Sequence, residues 1–237
     1  YIMKRIAYTA LFLLCSILQA QSFGQNKVQY RDFEWSFISS PNFDVYYYGD
    51  ELDLATFTME AANEAYEQIG KHLRWTLKKR VPILVYHSHN EFQQNNAVGV
   101  YMSEGIGGVT ELFKNRVVIP FEGDYKAFRH VIHHELVHAM INDLIYGGRM
   151  NNVASGQVRW SIPLWANEGL AEYLSSNWDT EADMIIRDLA INERIPTVKE
   201  LEYFLAYKGG QSVWKFIAEK YGREKIGEVF QAMKRLR

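Results

Sequence analysis

Apolar residues recur with two different spacings along the chain, and the change of spacing predicts two parts. In the N-terminal part, short runs rich in β-branched and aromatic residues predict strands over Phe43–Tyr48 and Val81–Tyr86. Between them, Leu52–Leu73 has apolar residues three and four positions apart, which predicts an amphipathic helix. Two further strands are predicted over Val109–Phe113 and Arg116–Phe121.

The C-terminal part has mainly helical spacing. A long helix is predicted from Asp124, a candidate N-cap, to Ile145. Gly147-Gly148 ends this helix, and a polar loop over Asn151–Ser161 follows. The further predicted helices cover 163–175, 180–191, 197–203, 207–221 and 223 to the end. Because strands come first and most helices later, we predict an α+β fold, with a small mixed sheet in residues 25–146 and a mainly helical part over 163–237.

Composition excludes several classes of protein. Of 237 residues, 48% are hydrophobic and 23% are charged, which is typical of a globular domain and not of a disordered chain. A formal net charge of -2 gives no electrostatic basis for binding nucleic acid. The one cysteine, Cys15, excludes both a disulfide framework and a cysteine-ligated metal site.

The N-terminus has the pattern of an export signal. Lys4 and Arg5 are followed by an apolar run over Ile6–Leu18 and then by small and polar residues, as in secretory signal peptides. The run is too short to favour a membrane anchor. We therefore expect residues 1–24 to be a signal peptide and residues 25–237 to be one exported domain without a transmembrane helix, located in the periplasm, at the outer membrane or outside the cell.

The long predicted helix contains an H-E-x-x-H pattern, His134-Glu135-Leu136-Val137-His138. Residues four apart lie one above the other on a helix, so both imidazoles can converge on one Zn²⁺. Glu135 is offset by about 100° and can reach a zinc-bound water as general base, whereas His133 points away from His134. The alternative is a helix with two ordinary histidines and a solvated glutamate, which the surrounding core-like apolar residues disfavour.

A third zinc ligand is predicted on the following helix. Catalytic zinc usually has three protein ligands and a water. The segment Trp165–Tyr173 (WANEGLAEY) provides Glu168, which completes a His₂Glu site for one Zn²⁺ per chain. Glu172, one turn later, is placed to accept the free N–H of a ligating histidine. A solvated glutamate pair is the alternative, but the neighbouring residues are largely apolar, and unpaired buried carboxylates are costly.

These two segments resemble the gluzincin metallopeptidases, the group of thermolysin and the aminopeptidase-N-like enzymes. Their hallmark is H-E-x-x-H on one helix and N-E-x-x-x-D/E on a later one, and the resemblance covers about Arg129 to Leu174. It implies a zincin-like fold in which one helix of the sheet-containing part carries the active site. The roles that it implies are zinc binding by His134, His138 and Glu168, general-base catalysis by Glu135, and support of a ligating histidine by Glu172.

The whole chain is also similar, more loosely, to the peptidase-MA-like domain of exported bacterial envelope proteins. In those proteins the zinc domain often precedes a β-propeller of TolB-like repeats. This chain contains no such repeats, and its last predicted helix reaches Arg237 without a cap. From this resemblance we expect the natural protein to continue beyond Arg237, with a β-propeller as the candidate for the next domain.

Substrate contacts are less sharply defined by the sequence. In the resembling enzymes a Tyr or His from the helical part stabilises the oxyanion; Tyr207 is the candidate here, and Tyr173 and Tyr203 are alternatives. An edge strand within Val109–Phe113 is expected to hold an extended peptide by backbone hydrogen bonds. Glu111 either binds a substrate amine or is an ordinary solvated side chain.

Three functions remain open from the sequence. The first is a zinc-dependent endo- or aminopeptidase that acts on peptide or protein substrates outside the cytoplasm. The second is a catalytically inactive peptide-binding or scaffolding module of the cell envelope that keeps the zinc site as structure. The third is a zinc hydrolase that cleaves another kind of bond. Every residue type that peptide hydrolysis requires is present, which favours the first.

Overall fold

The structure is a computed structural model that describes residues 27, 29–98, 102–112, 114–146 and 162–235. The predicted signal peptide and the predicted polar loop over Asn151–Ser161 lie outside the described residues, as does Gly147-Gly148.

Five strands form one mixed sheet: β1 (Trp35–Ser39), β2 (Phe43–Tyr48), β3 (Val81–Tyr86), β4 (Val109–Thr110) and β5 (Val117–Pro120). Their order across the sheet is β1-β2-β3-β5-β4. Strand β3 runs parallel to β2 and β5, whereas β1 and β4 are antiparallel to their neighbours. The apolar strand β5 is buried at every position. Strand β4 is an edge strand, and the outer side of an edge strand can pair with another chain.

The described residues form seven α-helices: α1 (Leu52–Leu73), α2 (His89–Phe92), α3 (Tyr125–Tyr146), α4 (Leu164–Ser176), α5 (Thr180–Ile191), α6 (Tyr203–Tyr221) and α7 (Glu224–Arg235). Helices α1 and α3 pack against each other and share the main apolar core with the sheet. The carboxylate of Asp124 accepts hydrogen bonds from the backbone N–H groups of Lys126 (2.7 Å) and Ala127 (3.2 Å), which confirms the predicted N-cap of α3. Within the described ranges, no helix is both long and apolar enough to cross a membrane.

Helices α4 and α6 approach each other closely because two glycines meet at their crossing. A Cβ atom added to Gly169 would overlap the backbone of Gly210 and lie 2.7 Å from the amide nitrogen of Gln211. Only residues without a side chain allow this approach. Near the crossing, the indole N–H of Trp214 donates a hydrogen bond of 2.9 Å to the carbonyl oxygen of Ala166. The two helices therefore form a closely packed pair that determines where their polar side chains meet.

The α+β architecture, with a small mixed sheet followed by a mainly helical part, confirms the predicted fold class. The strands predicted over Val109–Phe113 and Arg116–Phe121 were too long. The pairing of the two strands ends early because the chain turns back between them. A hydrogen bond of 2.8 Å from the Glu111 N–H to the Arg116 carbonyl closes this turn. The prediction also missed β1, an edge strand whose largely exposed side chains produce weak alternation.

The helix predicted over 197–203 was wrong. The chain forms a single 3₁₀ turn over Val198–Glu200, capped by reciprocal hydrogen bonds between Thr197 and Glu200. The backbone is extended at Leu201 and Glu202, and α6 begins at Tyr203, earlier than the predicted start at Tyr207. A capping box is typical of the first turn of a helix, so this sequence predicted a longer helix. Here the box caps a single short turn instead.

Candidate metal centre

Helix α3 presents three histidines in one row. His130, His134 and His138 are four residues apart, and the ring centroids are separated by 6.1 Å for the first pair and 4.9 Å for the second. The following helix in the described chain, α4, packs beside α3. It directs Glu168 and Glu172, again one turn apart, towards this row of imidazoles. Two helices with the same four-residue spacing thus build the site.

The three predicted ligands lie together. The distances are 3.2 Å between the Nε2 atoms of His134 and His138, 3.3 Å from His134 Nε2 to Glu168 Oε2, and 3.2 Å from His138 Nε2 to the same oxygen. Ligand atoms at tetrahedral positions with zinc–ligand bonds of about 2.0–2.1 Å are about 3.3–3.4 Å apart. The triangle of donor atoms therefore has the size that a tetrahedral zinc ion requires.

Glu172 binds the other side of the same imidazole. Its Oε1 atom lies 3.0 Å from Nδ1 of His134, and its Oε2 atom lies 2.8 Å from Nζ of Lys208. We assign the imidazole proton to Nδ1 from this contact, because a carboxylate can only accept. When Nε2 gives up its own proton to make room for a metal ion, its lone pair points to the triangle formed with His138 and Glu168.

The electrostatics of the centre favour a bound cation. Burial lowers the pKa of His134, but the carboxylates of Glu168 and Glu172 outweigh this effect and raise the pKa to about 10. Burial alone would raise the pKa of each carboxyl, yet the histidines around both, and Lys208 beside Glu172, hold these values well below the usual range. The carboxylates thus stay ionised, and either a proton or a metal ion can satisfy them.

The predicted general base lies beside the triangle and outside it. Glu135 is buried, and its Oε2 atom accepts a hydrogen bond of 2.7 Å from the hydroxyl of Thr110 on the edge strand β4. The Thr110 hydroxyl is also 2.9 Å from the backbone carbonyl of Glu135. A Cβ atom at Gly108 would lie 2.9 Å from Cγ of Glu135. The glycine therefore lets the edge segment pack directly on the helix that carries Glu135.

A cleft runs past the centre between α3, α6 and the segment that leads into β4. It has two arms of about 490 and 510 Å³, both bordered by His134, Glu135 and Tyr207. One arm continues along β4 past Leu112. The other ends at α6 and at a charged cluster that includes Lys208. An extended chain that follows the cleft would thus pass the triangle of donor atoms on its way from one arm to the other.

Of the three candidate tyrosines, the structure places Tyr207 at the cleft. Its ring stacks on His134, with centroids 6.1 Å apart and an interplanar angle of 16°. Burial, and then the negative charge of Glu168, raise the pKa of Tyr207, so the phenol keeps its proton and can donate it in a hydrogen bond. Tyr173 is buried in the core and Tyr203 is 83% exposed, which makes both unsuitable.

Neither interpretation of Glu111 holds. Its carboxylate is only 12% exposed and pairs with Arg116 at 2.5 Å, so it is neither free for a substrate amine nor solvated. His133 points away from the triangle, as predicted. It lines a separate groove together with residues of α1. Burial, followed by the neighbouring histidines, lowers the pKa of His133 to about 4, which makes it neutral.

Sequence reasoning missed three residues near the centre: Thr110, His130 and Lys208. The four-residue spacing from His130 to His134 was visible in the sequence and could have identified the first imidazole of the row. His130, His134 and Glu172 form a second group of possible metal ligands, with donor atoms within 4.8 Å of one another. No local signal distinguished Thr110 or Lys208 from ordinary surface residues.

Comparison with known proteins agrees with this geometry. The family model described as Peptidase MA superfamily matches residues 61–236, which include every residue of the two metal-ligand groups. No curated protein matches the chain. The family match extends from α1 to α7 and thus covers about three quarters of the sequence. The chain belongs to the Peptidase MA superfamily and has a metallopeptidase-like fold.

Proposed function

We propose that this chain is a zinc-dependent peptidase that hydrolyses peptide bonds with Glu135 as general base. The observation that supports it most is the triangle of donor atoms from His134, His138 and Glu168, whose sides of 3.2–3.3 Å suit a tetrahedral zinc ion. When bound there, zinc acts as a Lewis acid and lowers the pKa of a water molecule. The family match supports a peptidase-like domain around this site.

The residues around the triangle supply the remaining functions. Glu135 accepts the proton of the attacking water and later returns it to the leaving amine. Thr110 occupies one carboxylate oxygen of Glu135, which leaves the other for the proton. Tyr207, which keeps its proton, donates a hydrogen bond to the oxyanion as it forms. The outer side of β4 pairs with the backbone of an extended peptide and aligns it along the cleft.

The test measures metal content and turnover in the same preparations. Purified wild-type protein is expected to hold about one Zn²⁺ per chain by mass spectrometry and to cleave members of a broad fluorogenic peptide library. His138→Ala should lose both, and a chelator should abolish cleavage reversibly, with recovery when zinc is returned. Zinc without turnover on any peptide would instead favour the inactive peptide-binding or scaffolding module. Turnover on esters but not on peptides would favour another zinc hydrolase.

We also propose that the protein is exported and acts outside the cytoplasm. The support is the basic Lys4-Arg5 end followed by the short apolar run over Ile6–Leu18. The N-terminal sequence of the mature protein is expected to begin between Gln21 and Gln25. Recovery from the cytoplasm of a chain that still carries Met3 would contradict export.

A further inference from the structure

Two overlapping groups of possible metal ligands share His134. The first uses Nε2 of this imidazole, with His138 and Glu168. The second uses Nδ1, which lies 3.0 Å from Glu172 Oε1, and includes His130, whose Nε2 is 3.6 Å from the same oxygen. Each group has two imidazoles and one carboxylate, so ligand chemistry alone does not decide which of them takes a metal ion.

The two groups cannot use a neutral His134 in the same way. A neutral imidazole has one protonated nitrogen and one lone pair. When Nδ1 donates its proton to Glu172, the lone pair of Nε2 is available to the first group. For the second group to take a metal, Nδ1 must lose that proton and Glu172 must give up its role as acceptor. Whatever keeps Glu172 an acceptor therefore selects the first group.

The buried ammonium group of Lys208 lies beside Glu172, where it can influence which group takes the metal ion. Lys208 is 7% exposed, and its Nζ atom lies 2.8 Å from Glu172 Oε2, 3.1 Å from Glu181 Oε2 and 3.5 Å from Asp179 Oδ2. A lysine is rarely buried this deeply unless carboxylates compensate its charge. Here three carboxylates do so, and Glu172 is the most buried of them.

The helix crossing positions the backbone of Lys208. Lys208 precedes Gly209 and Gly210 on α6, and Gly210 meets Gly169 of α4 at the close crossing. Glu172 lies three residues after Gly169 on α4. Because neither helix can slide without a clash between backbones, the crossing fixes the positions from which the side chains of Lys208 and Glu172 extend.

We propose that Lys208 selects the metal site: its charge occupies Glu172 and keeps a cation out of the group formed by His130, His134 and Glu172. The ammonium uses Oε2 of Glu172 and leaves Oε1 to the imidazoles. A metal ion in the second group would have to share this carboxylate with a fixed positive charge, which repels it. Lys208 is thus a positioning residue that acts on His134 through Glu172, and the inference rests on the proposed zinc function.

The test is a double-mutant cycle between Lys208 and His130. Zinc affinity is measured by competition with a chromophoric chelator, and zinc per chain by mass spectrometry. In the wild-type background, His130→Ala is expected to change zinc affinity less than about twofold, since His130 binds no metal there. Lys208→Met removes the charge and keeps an unbranched side chain. When His138→Ala has also removed the first group, His130→Ala should weaken the remaining zinc binding by about tenfold or more, the size of effect expected for a group that supports a metal site.

Two controls separate selection from simple structural support. Lys208→Arg keeps the charge and should behave as wild type in the cycle. If Lys208→Met does not fold, Lys208→Gln carries the same test, because its neutral amide can still donate to Glu172. An equal effect of His130→Ala in the wild-type and neutral backgrounds would overturn the inference while leaving the zinc site intact. A wild-type protein that binds no zinc would overturn the proposed function, and the inference with it.

Discussion

The two nitrogens of His134 face two regions that contain the same kinds of groups but differ in how their charge is compensated. On the Nε2 side, the ion-pair partners of Glu168 among the described residues are the two imidazoles alone. On the Nδ1 side, Glu172 is paired with the buried ammonium of Lys208. A carboxylate without a fixed cation leaves room for a metal ion, whereas one with a fixed cation becomes an orienting acceptor. We therefore expect the two ligand sets to have different functions because of one neighbouring charge.

The largest effect is expected at Glu135, which lines the cleft beside His134 without belonging to the donor triangle. Glu135→Gln should lower kcat/KM for peptides by roughly a thousandfold, because an amide cannot accept the proton that the general base takes. Zinc content and folding should stay unchanged. Glu104→Gln, in an exposed loop position, is the control and should keep full activity. Equal cleavage by wild type and Glu135→Gln would contradict the mechanism even if zinc is present.

The two carboxylates of α4 can be compared directly by the same substitution. Glu172→Gln should weaken zinc binding by about 10- to 100-fold, as is typical when a group that orients a ligand is lost. Glu168→Gln should weaken it by more, because a direct ligand is lost. Competition with a chelator measures both, with zinc per chain as a check. The reverse order would mean that the metal ion is bound on the Nδ1 side, and the assignment of the two sides would have to be exchanged.

The groups on both sides of His134 are positioned by helices α4 and α6. A change where these helices cross should therefore disturb both sides of the imidazole. Gly169→Ala places a methyl group into the backbone of Gly210, and overpacking of this kind costs about 1–3 kcal/mol of unfolding free energy. Denaturant unfolding of the metal-free protein measures the change. Gly105→Ala is the control, since no atom lies within 4 Å of the position of an added Cβ. Full stability of Gly169→Ala would show that the helices separate more easily than their packing implies.

The smallest effect is expected at Thr110, whose hydroxyl contacts Glu135. Thr110→Val keeps the shape but removes the donor to Oε2, so kcat should fall by about tenfold with little change in KM. Thr110→Ser restores the hydroxyl and should recover most of the rate. If the serine and valine variants lose activity equally, packing of the edge strand, and not the hydrogen bond, is what Thr110 contributes.

Much of the fold was predictable because it depends on local patterns. The helix over Leu52–Leu73 was predicted at its observed boundaries, since its apolar residues form a continuous stripe. The prediction failed where neighbouring elements decide: β1 pairs only because β2 lies beside it, and the short ladder of β4 ends where the chain turns back. Strand length at a sheet edge depends on its partner more than on its own sequence.

The sequence by itself identified the candidate residues for the chemistry. His134, Glu135 and His138 follow from the geometry of a single helical turn, and Glu168 and Glu172 repeat that spacing on the next described helix. Only the tertiary structure decided how these residues are used. It places the adjacent residues Tyr207 and Lys208 near His134, one stacked on its ring and the other paired with Glu172. The close crossing of α4 and α6 produces this arrangement, and contact between residues distant in the chain cannot be read from spacing alone.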